Sequence, residues 1–363
     1  MKKIYVIVIF VLSTTMLDAQ FESRWFTSDP VADDSSKYNF YIRAAGFFHN
    51  NEFFSTDEEG YTLIGNFLQP AFRLRLNNEL SLTAGIHMLK YHGQNGFNQA
   101  EPLFNISYSF SPGGNLLIGS YNGGDRLGLP EELYARELEF TRQLMNGILI
   151  DYSASGFTTR TWLDWESFIE RGDPFREVFT FGFAGSYDFI SDENKSFRIP
   201  LFFLVNHKGG QINNSNLPVE TIADLSSGII FETSLDNRLF PKVSFRGMGF
   251  LENDVVNDED GFALLGQVEG KNELLALAAG HFYGNHWESI HGNPLLFSGD
   301  ANTVNHKNMI LLKAGIGKVL GSGNSISLRF EGYYDIGIKK FQYTYGIYLV
   351  VNESLWRGGR QVR

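Results

Sequence analysis

The chain has 363 residues with 30 Lys and Arg against 41 Asp and Glu, a formal charge of −11, and no cysteine. The acidic balance excludes a nucleic-acid partner, whose phosphates need a basic face. The missing cysteine excludes disulfide staples, thiolate metal sites and a lipid-modified cysteine anchor. Aromatics are abundant (33 Phe, 16 Tyr, 5 Trp) while the mean hydropathy is slightly negative, as expected when greasy and polar positions alternate.

Residues 1–19 begin with Lys2 and Lys3, continue through the apolar run Ile4 to Leu12 and end on Ala19. They read as a secretory signal peptide. Residues 20–37 are mostly polar, carry Pro30 and show no sustained period, as expected of a periplasmic lead-in. No later apolar run is long enough for a spanning helix.

Alternation starts at Tyr38, with Phe40 and Ile42 on one parity and Arg43 on the other. Leu68, Phe72 and Leu74 follow, facing away from Arg73 and Arg75. The turn Asn77-Asn78-Glu79 then reverses the chain into Leu80, Leu82 and Ala84, which is hairpin grammar. Further strands are expected near 104–110, 115–121, 146–152, 159–166, 176–189, 197–207, 219–232, 240–250, 261–270, 274–284, 308–319, 326–335 and 341–351, about sixteen in all, with 14–18 as the range. The clearest is 176–189, where Phe179, Phe181, Phe183, Tyr187 and Phe189 stand opposite Thr180, Gly182, Ala184 and Ser186. Short and long connections alternate, so the fold class is all-β, a transmembrane antiparallel up-and-down β-barrel over 38–351, followed by a tail at 352–363. A soluble sandwich has no reason to sort its loops this way.

This pattern resembles the porin-like outer-membrane β-barrels of Gram-negative bacteria, through alternation, loop sorting and aromatic richness over about 38–351. The resemblance implies a cell outer-membrane location, lipopolysaccharide as neighbour and a homotrimer. It also implies a channel for passive diffusion of small polar solutes, saccharides among them. Such barrels often end on an aromatic residue read by the assembly machinery, whereas here the last expected strand is followed by NESLWRGGRQVR.

Charges that parity places inward are expected to line the pore: Arg43, Arg73, Arg75, Arg160, Asp164, Glu166, Arg246, Lys313, Arg329 and Glu331, with Asp224, Glu232 and Glu269 beside them. The alternative is that they pair across the lumen and only brace the wall. The longest connection, 122–145, has helical character, with Pro130 near a helix start and Leu129, Leu133, Phe140 and Leu144 at helical spacing. By resemblance to porins it folds inward as a constriction, with Asp125, Arg126, Glu131, Glu132 and Arg136 at the narrowing; otherwise it lies over the outer rim.

Trp162, Trp165, Phe168 and Phe175, mixed with Asp164, Glu166, Glu170 and Asp173, suit sugar stacking or else an outer aromatic girdle. His281, His286 and His291 are spaced by five, which is no standard metal arrangement, and 252–260 fails as a calcium loop. No metal or cofactor is therefore expected. No nucleophile elbow or metalloprotease motif appears, so an enzyme is not expected either, with His87 the lone inward histidine considered. Two readings stand, an open diffusion channel or a plugged barrel whose outer surface binds polysaccharide or assembles with a surface partner. A third, a rim enzyme acting on lipid or peptide, is disfavoured by the absent motif and by a barrel larger than such catalysis requires.

Overall fold

The computed structural model describes Phe21 and residues 36–54, 58–254, 259–298, 306–321 and 323–359, apart from the side chains of Asp125, Arg126 and Glu259. The signal peptide and most of the lead-in lie outside these residues.

Sixteen antiparallel strands close into one barrel. They are β1 Tyr38–Glu52, β2 Thr62–Arg75, β3 Leu80–Tyr91, β4 Gln99–Ser111, β5 Gly114–Asn122, β6 Leu144–Ala154, β7 Phe157–Ser167 and β8 Glu177–Ser191. The second half comprises β9 Lys195–Gly209, β10 Glu220–Ser234, β11 Lys242–Asp254, β12 Glu259–Lys271, β13 Leu275–Asn285, β14 His306–Gly321, β15 Asn324–Asp335 and β16 Lys340–Gly358. Each strand pairs with its sequence neighbours, and β1 closes on β16 from Tyr38↔Gly358 to Glu52↔Tyr343. Closure leaves no edge, so every ladder can be satisfied without water, as a lipid environment demands.

One rim carries turns of two to seven residues, and the other carries the long connections together with two four-residue links, 255–258 and 336–339. By the rule for bacterial barrels the short-turn rim faces the periplasm. Outward positions are apolar and exposed, such as Phe104, Ile106 and Tyr108 on β4, while Asn105 and Ser107 between them turn inward. No helix among the described residues is long and apolar enough to cross a membrane.

Several strands run past their expected ends. β2 begins at Thr62 where alternation starts only at Leu68, and β4 extends from Gln99 to Ser111. The physical reason is that a rim strand outside the hydrocarbon keeps its backbone partners but needs no greasy face. The correction is largest at the C-terminus: Asn352 to Gly358, expected in a tail, continue β16. There Trp356 stacks beside Tyr38, ring centroids 6.3 Å apart, and a register shift between Phe40 and Tyr41 absorbs one residue at the seam. The connection after Asp335 is a four-residue turn on the long-loop rim, with Lys339 at φ 56°.

Candidate functional site

The lumen is filled. The connection between β5 and β6 folds inward, as does the segment after β13, and their side chains meet the inner wall. Leu127, Leu129, Leu133 and Tyr134 from the first, with Trp287, Leu295 and Leu296 from the second, form one buried cluster. The wall contributes Leu117, Trp162, Phe202, Phe250, Phe282 and Leu311, on β5, β7, β9, β11, β13 and β14. On the remaining arc Phe140 packs against Phe47, Phe67, Leu89 and Tyr348 of β1, β2, β3 and β16, its ring 4.6 Å from that of Phe47. An apolar layer therefore spans the barrel, held by the same burial that drives a soluble core.

The first connection is less helical than its spacing predicts. Pro130 begins a single turn, its carbonyl accepting from the amides of Leu133 and Tyr134 at 2.9 Å, and the only α-helix among the described residues, α1, is Leu138–Thr141. Leu129, Leu133, Phe140 and Leu144 are nonetheless all buried. The two plug segments bond to each other, the Ala135 amide donating to the His291 carbonyl at 2.6 Å and the Asn293 amide to the Glu131 carbonyl at 3.1 Å.

Most of the expected pore-lining and constriction charges lie in or beside this plug. Lys313 pairs with Glu131 and lies 3.3 Å from Glu331, while the Tyr333 hydroxyl is 2.7 Å from both carboxylates. Arg136 pairs with Glu139 at 3.1 Å and Glu331 at 3.5 Å, and Arg246 sits 3.7 Å from Glu132. Arg43 donates to Gln143 at 2.6 Å, and Arg329 to the Phe21 carbonyl at 3.2 Å. Arg160 pairs with Asp151 across β6 and β7 at 2.5 Å. Arg73 and Arg75 face a separate chamber near the periplasmic turn Asn77–Glu79. The side chains of Asp125 and Arg126 are outside the described residues. Removing one partner of a buried ion pair strands the others, so Lys313→Met is expected to cost about 3–5 kcal/mol of plug docking. Limited trypsin cleavage after Arg136 and Arg142 measures it, becoming fast in the variant and slow in the parent.

A second polar group sits where the plug meets β7 to β9. Register places Asp164 opposite Thr180 and Thr180 opposite Asn206, so three strands present one inward row. Arg142, capping the end of α1, drops onto this row, 2.5 Å from Asp164 and 3.0 Å from Glu166. Burial opposes the charge of Arg142, but these two carboxylates outweigh it and raise its pKa. His291 arrives from the other plug segment, with Nε2 at 3.2 Å from Thr180 Oγ1 and 3.3 Å from both Glu166 Oε1 and Arg142 Nη1. Neutral, Nε2 accepts from Arg142; protonated, it donates to Glu166. Both protonation states have a partner, which is what proton transfer requires.

Of this group parity offered Asp164 and Glu166 as inward charges and Thr180 on the face opposite the aromatic wall, while His291 was one of three histidines spaced by five and Arg142 carried no signal. The triplet is dispersed: His281 lies on β13, 2.7 Å from Asn308, and His286 ends the strand at φ 48°. No set of three His, Cys, Asp or Glu among the described residues is disposed to hold a metal. His87 is buried against Gln69 at 3.0 Å, away from this group. The aromatic sugar platform does not assemble, because Trp162 is buried in the plug layer while Trp165 faces outward beside Phe179 and Phe168 and Phe175 are exposed. Of the acidic stretch 252–260, residues 255–258 lie outside the described residues.

The sequence profile of the lipid A 3'-O-deacylase-type family matches residues 31–357. No curated protein sequence matches the chain. Among solved structures it is similar to the outer-membrane protein OprD of Pseudomonas aeruginosa, with 8% identity and a TM-score of 0.54 over 91% of this chain and 98% of that one. It is also similar to a loop-deletion mutant of OmpT, an outer-membrane protein of Vibrio cholerae, with 11% identity and a TM-score of 0.52 over 88% and 100% of the two chains. OpdO of Pseudomonas aeruginosa gives 11% identity and 0.51 over 88% and 98%. At such identities the likeness shows the porin-like fold alone. A closed barrel of this kind, with a lipid-facing wall, is an outer-membrane protein.

Proposed function

Because the chain belongs to the lipid A 3'-O-deacylase-type family, we propose that it hydrolyses an acyl ester of a lipid A-type glycolipid, using the polar group around His291. The observation that carries this reading is the plugged lumen, with a histidine, a guanidinium and a carboxylate left partly open to solvent at the plug's edge. Side-chain exposure is 23% for Arg142, 20% for Glu166 and 14% for His291, whereas Asp164 is 3% exposed. Thr180 is 2% exposed, too enclosed to attack a lipid ester, so it positions the ring and water is the nucleophile.

The chemistry then runs through these side chains. A water proton passes to His291 Nε2 as the water oxygen bonds to the ester carbonyl carbon. The charge that grows on the carbonyl oxygen meets the Arg142 guanidinium, held charged by Asp164 and Glu166. Collapse expels the sugar alkoxide, which takes the proton back from His291, leaving a free fatty acid. The substrate class makes lipopolysaccharide the partner, presented at the outer leaflet.

The other reading, passive diffusion of small polar solutes, needs a continuous wet path. The apolar layer from Leu117 round to Tyr348 weighs against it. One experiment separates the two. Purified lipid A incubated with the refolded protein in detergent should lose one acyl chain, read by mass spectrometry, and the same protein should show no steady conductance in a planar bilayer. Intact lipid A together with stable porin-like current steps would sink the hydrolase reading and restore the channel.

A further inference from the structure

Below the plug, on the periplasmic side, β1 to β6 line a chamber of about 350 Å³, within the range of small-ligand pockets. Its mouth is at the turn Asn77–Glu79 and its inner end is Leu117 and Tyr121, both members of the plug layer, so it is a blind recess entered from the periplasm. The lining is unlike the rest of the lumen. Beside a few charges it presents mainly neutral polar groups, Ser81 and Thr83 from β3, Asn105, Ser107 and Ser109 from β4, and Asn115 from β5.

Period-two alternation produces most of this array, with Leu82, Ile106, Tyr108 and Phe110 turned outward between the polar positions of β3 and β4. Register then sets them in a grid, with Ser81 opposite Ser107, Thr83 opposite Asn105 and Ser109 opposite Asn115. Adjacent strands lie about 4.8 Å apart and same-face residues about 6.8 Å, so hydroxyl and amide groups are spread over two dimensions. Only part of their capacity is used internally. Ser107 Oγ donates to Asn115 Oδ1 at 2.7 Å and Asn105 Nδ2 to the Ser120 carbonyl at 2.8 Å. Among the described residues the hydroxyls of Ser81, Thr83 and Ser109 and the Asn115 Nδ2 have no such partner. Tyr41 and Tyr121 add aromatic rings to the wall.

We propose that this chamber binds a neutral saccharide of mono- to disaccharide size from the periplasmic side. Donors and acceptors that are mostly uncharged and interleaved match a ring of hydroxyls, each of which both donates and accepts, and the tyrosine rings offer a face for its C–H groups. The charges that reach the chamber are few, Arg73 and Arg75 with Glu79 and an Asp151 already paired to Arg160, so the neutral grid makes up most of the recognition surface. The site is independent of the His291 chemistry and lies on the other side of the plug.

The test is titration of the refolded full-length mature protein with maltose, followed by calorimetry. Binding is expected in the parent, at least tenfold weaker in Thr83→Val with Ser109→Val, and unchanged in His291→Gln, which separates this site from the hydrolase. Heat-modifiability on a gel checks that each variant folds; if the double variant does not, Asn115→Leu replaces it. Since the chain has no cysteine, a single cysteine can also be labelled cleanly. A bulky maleimide on Asn78→Cys at the mouth should abolish binding, and the same label on Asn95→Cys at the outer rim should not. Absence of maltose binding in the parent, equal affinity in the chamber variants, or loss of binding from the outer label alone would each overturn the proposal.

Discussion

Replacing His291 with glutamine is expected to lower acyl-ester hydrolysis by about 10²–10⁴-fold, the range for losing a general base. Glutamine can still hydrogen-bond to Thr180, Glu166 and Arg142, so the plug should stay docked while proton transfer is lost. The measurement is fatty acid released from lipid A micelles per unit time, with trypsin resistance of the plug as the folding control. A variant of parental rate would remove His291 from the reaction. Arg142→Gln provides a graded companion, expected to lose about 10²–10³-fold if the guanidinium meets the oxyanion. It should also loosen Asp164 and Glu166, which Arg142 holds at 2.5 and 3.0 Å.

Excising the first plug segment should turn a silent barrel into a conducting one. Replacing Asp125 to Thr141 with a short Gly-Ser linker removes Leu127, Leu129, Leu133, Tyr134 and Phe140, the side chains that meet the inner wall over most of its circumference. It also takes from the second segment its bonds to Ala135 and Glu131, and from Lys313 its pairing with Glu131. The wall itself is untouched, since β5 and β6 pair with each other and with β4 and β7. Conductance in a planar bilayer is expected to rise from none to stable steps. A deletion variant that folds and stays silent would mean that the second segment alone seals the lumen.

The outer wall was legible in the sequence and the inner one only in part. Lipid imposes a strict rule, so residues such as Phe181, Ile106 and Phe110 mark their strands, and the count of sixteen and the loop sorting follow. The lumen imposes a weaker rule, because an inward residue can face water or a plug. A signal was nevertheless present. In LFFLV at 201–205 and in MILL at 309–312 both parities are apolar, and the inward members Phe202, Leu204, Met309 and Leu311 pack on the plug. Two greasy faces on one strand of a barrel mean something dry inside. The reactive group was harder to see, because Arg142 and His291 are 149 residues apart and meet only through the docking of two irregular segments. Parity could place Asp164 and Glu166, whose strand fixes their direction, but it says nothing about residues on connections.

The seam between β1 and β16 governs the order in which the molecule can be built. Tyr38 meets Gly358, so the closing ladder joins the two ends of the barrel sequence and has the longest loop to close of any strand pair. Hairpins from β2 to β15 can form as the chain arrives, but the sheet keeps two open edges until the final residues of β16 are delivered. Removing Asn352 to Gly358 deprives the first residues of β1 of partners and is expected to prolong the open-edged state. The seven residues that extend β16 past its expected end therefore act in time, as the last latch of assembly.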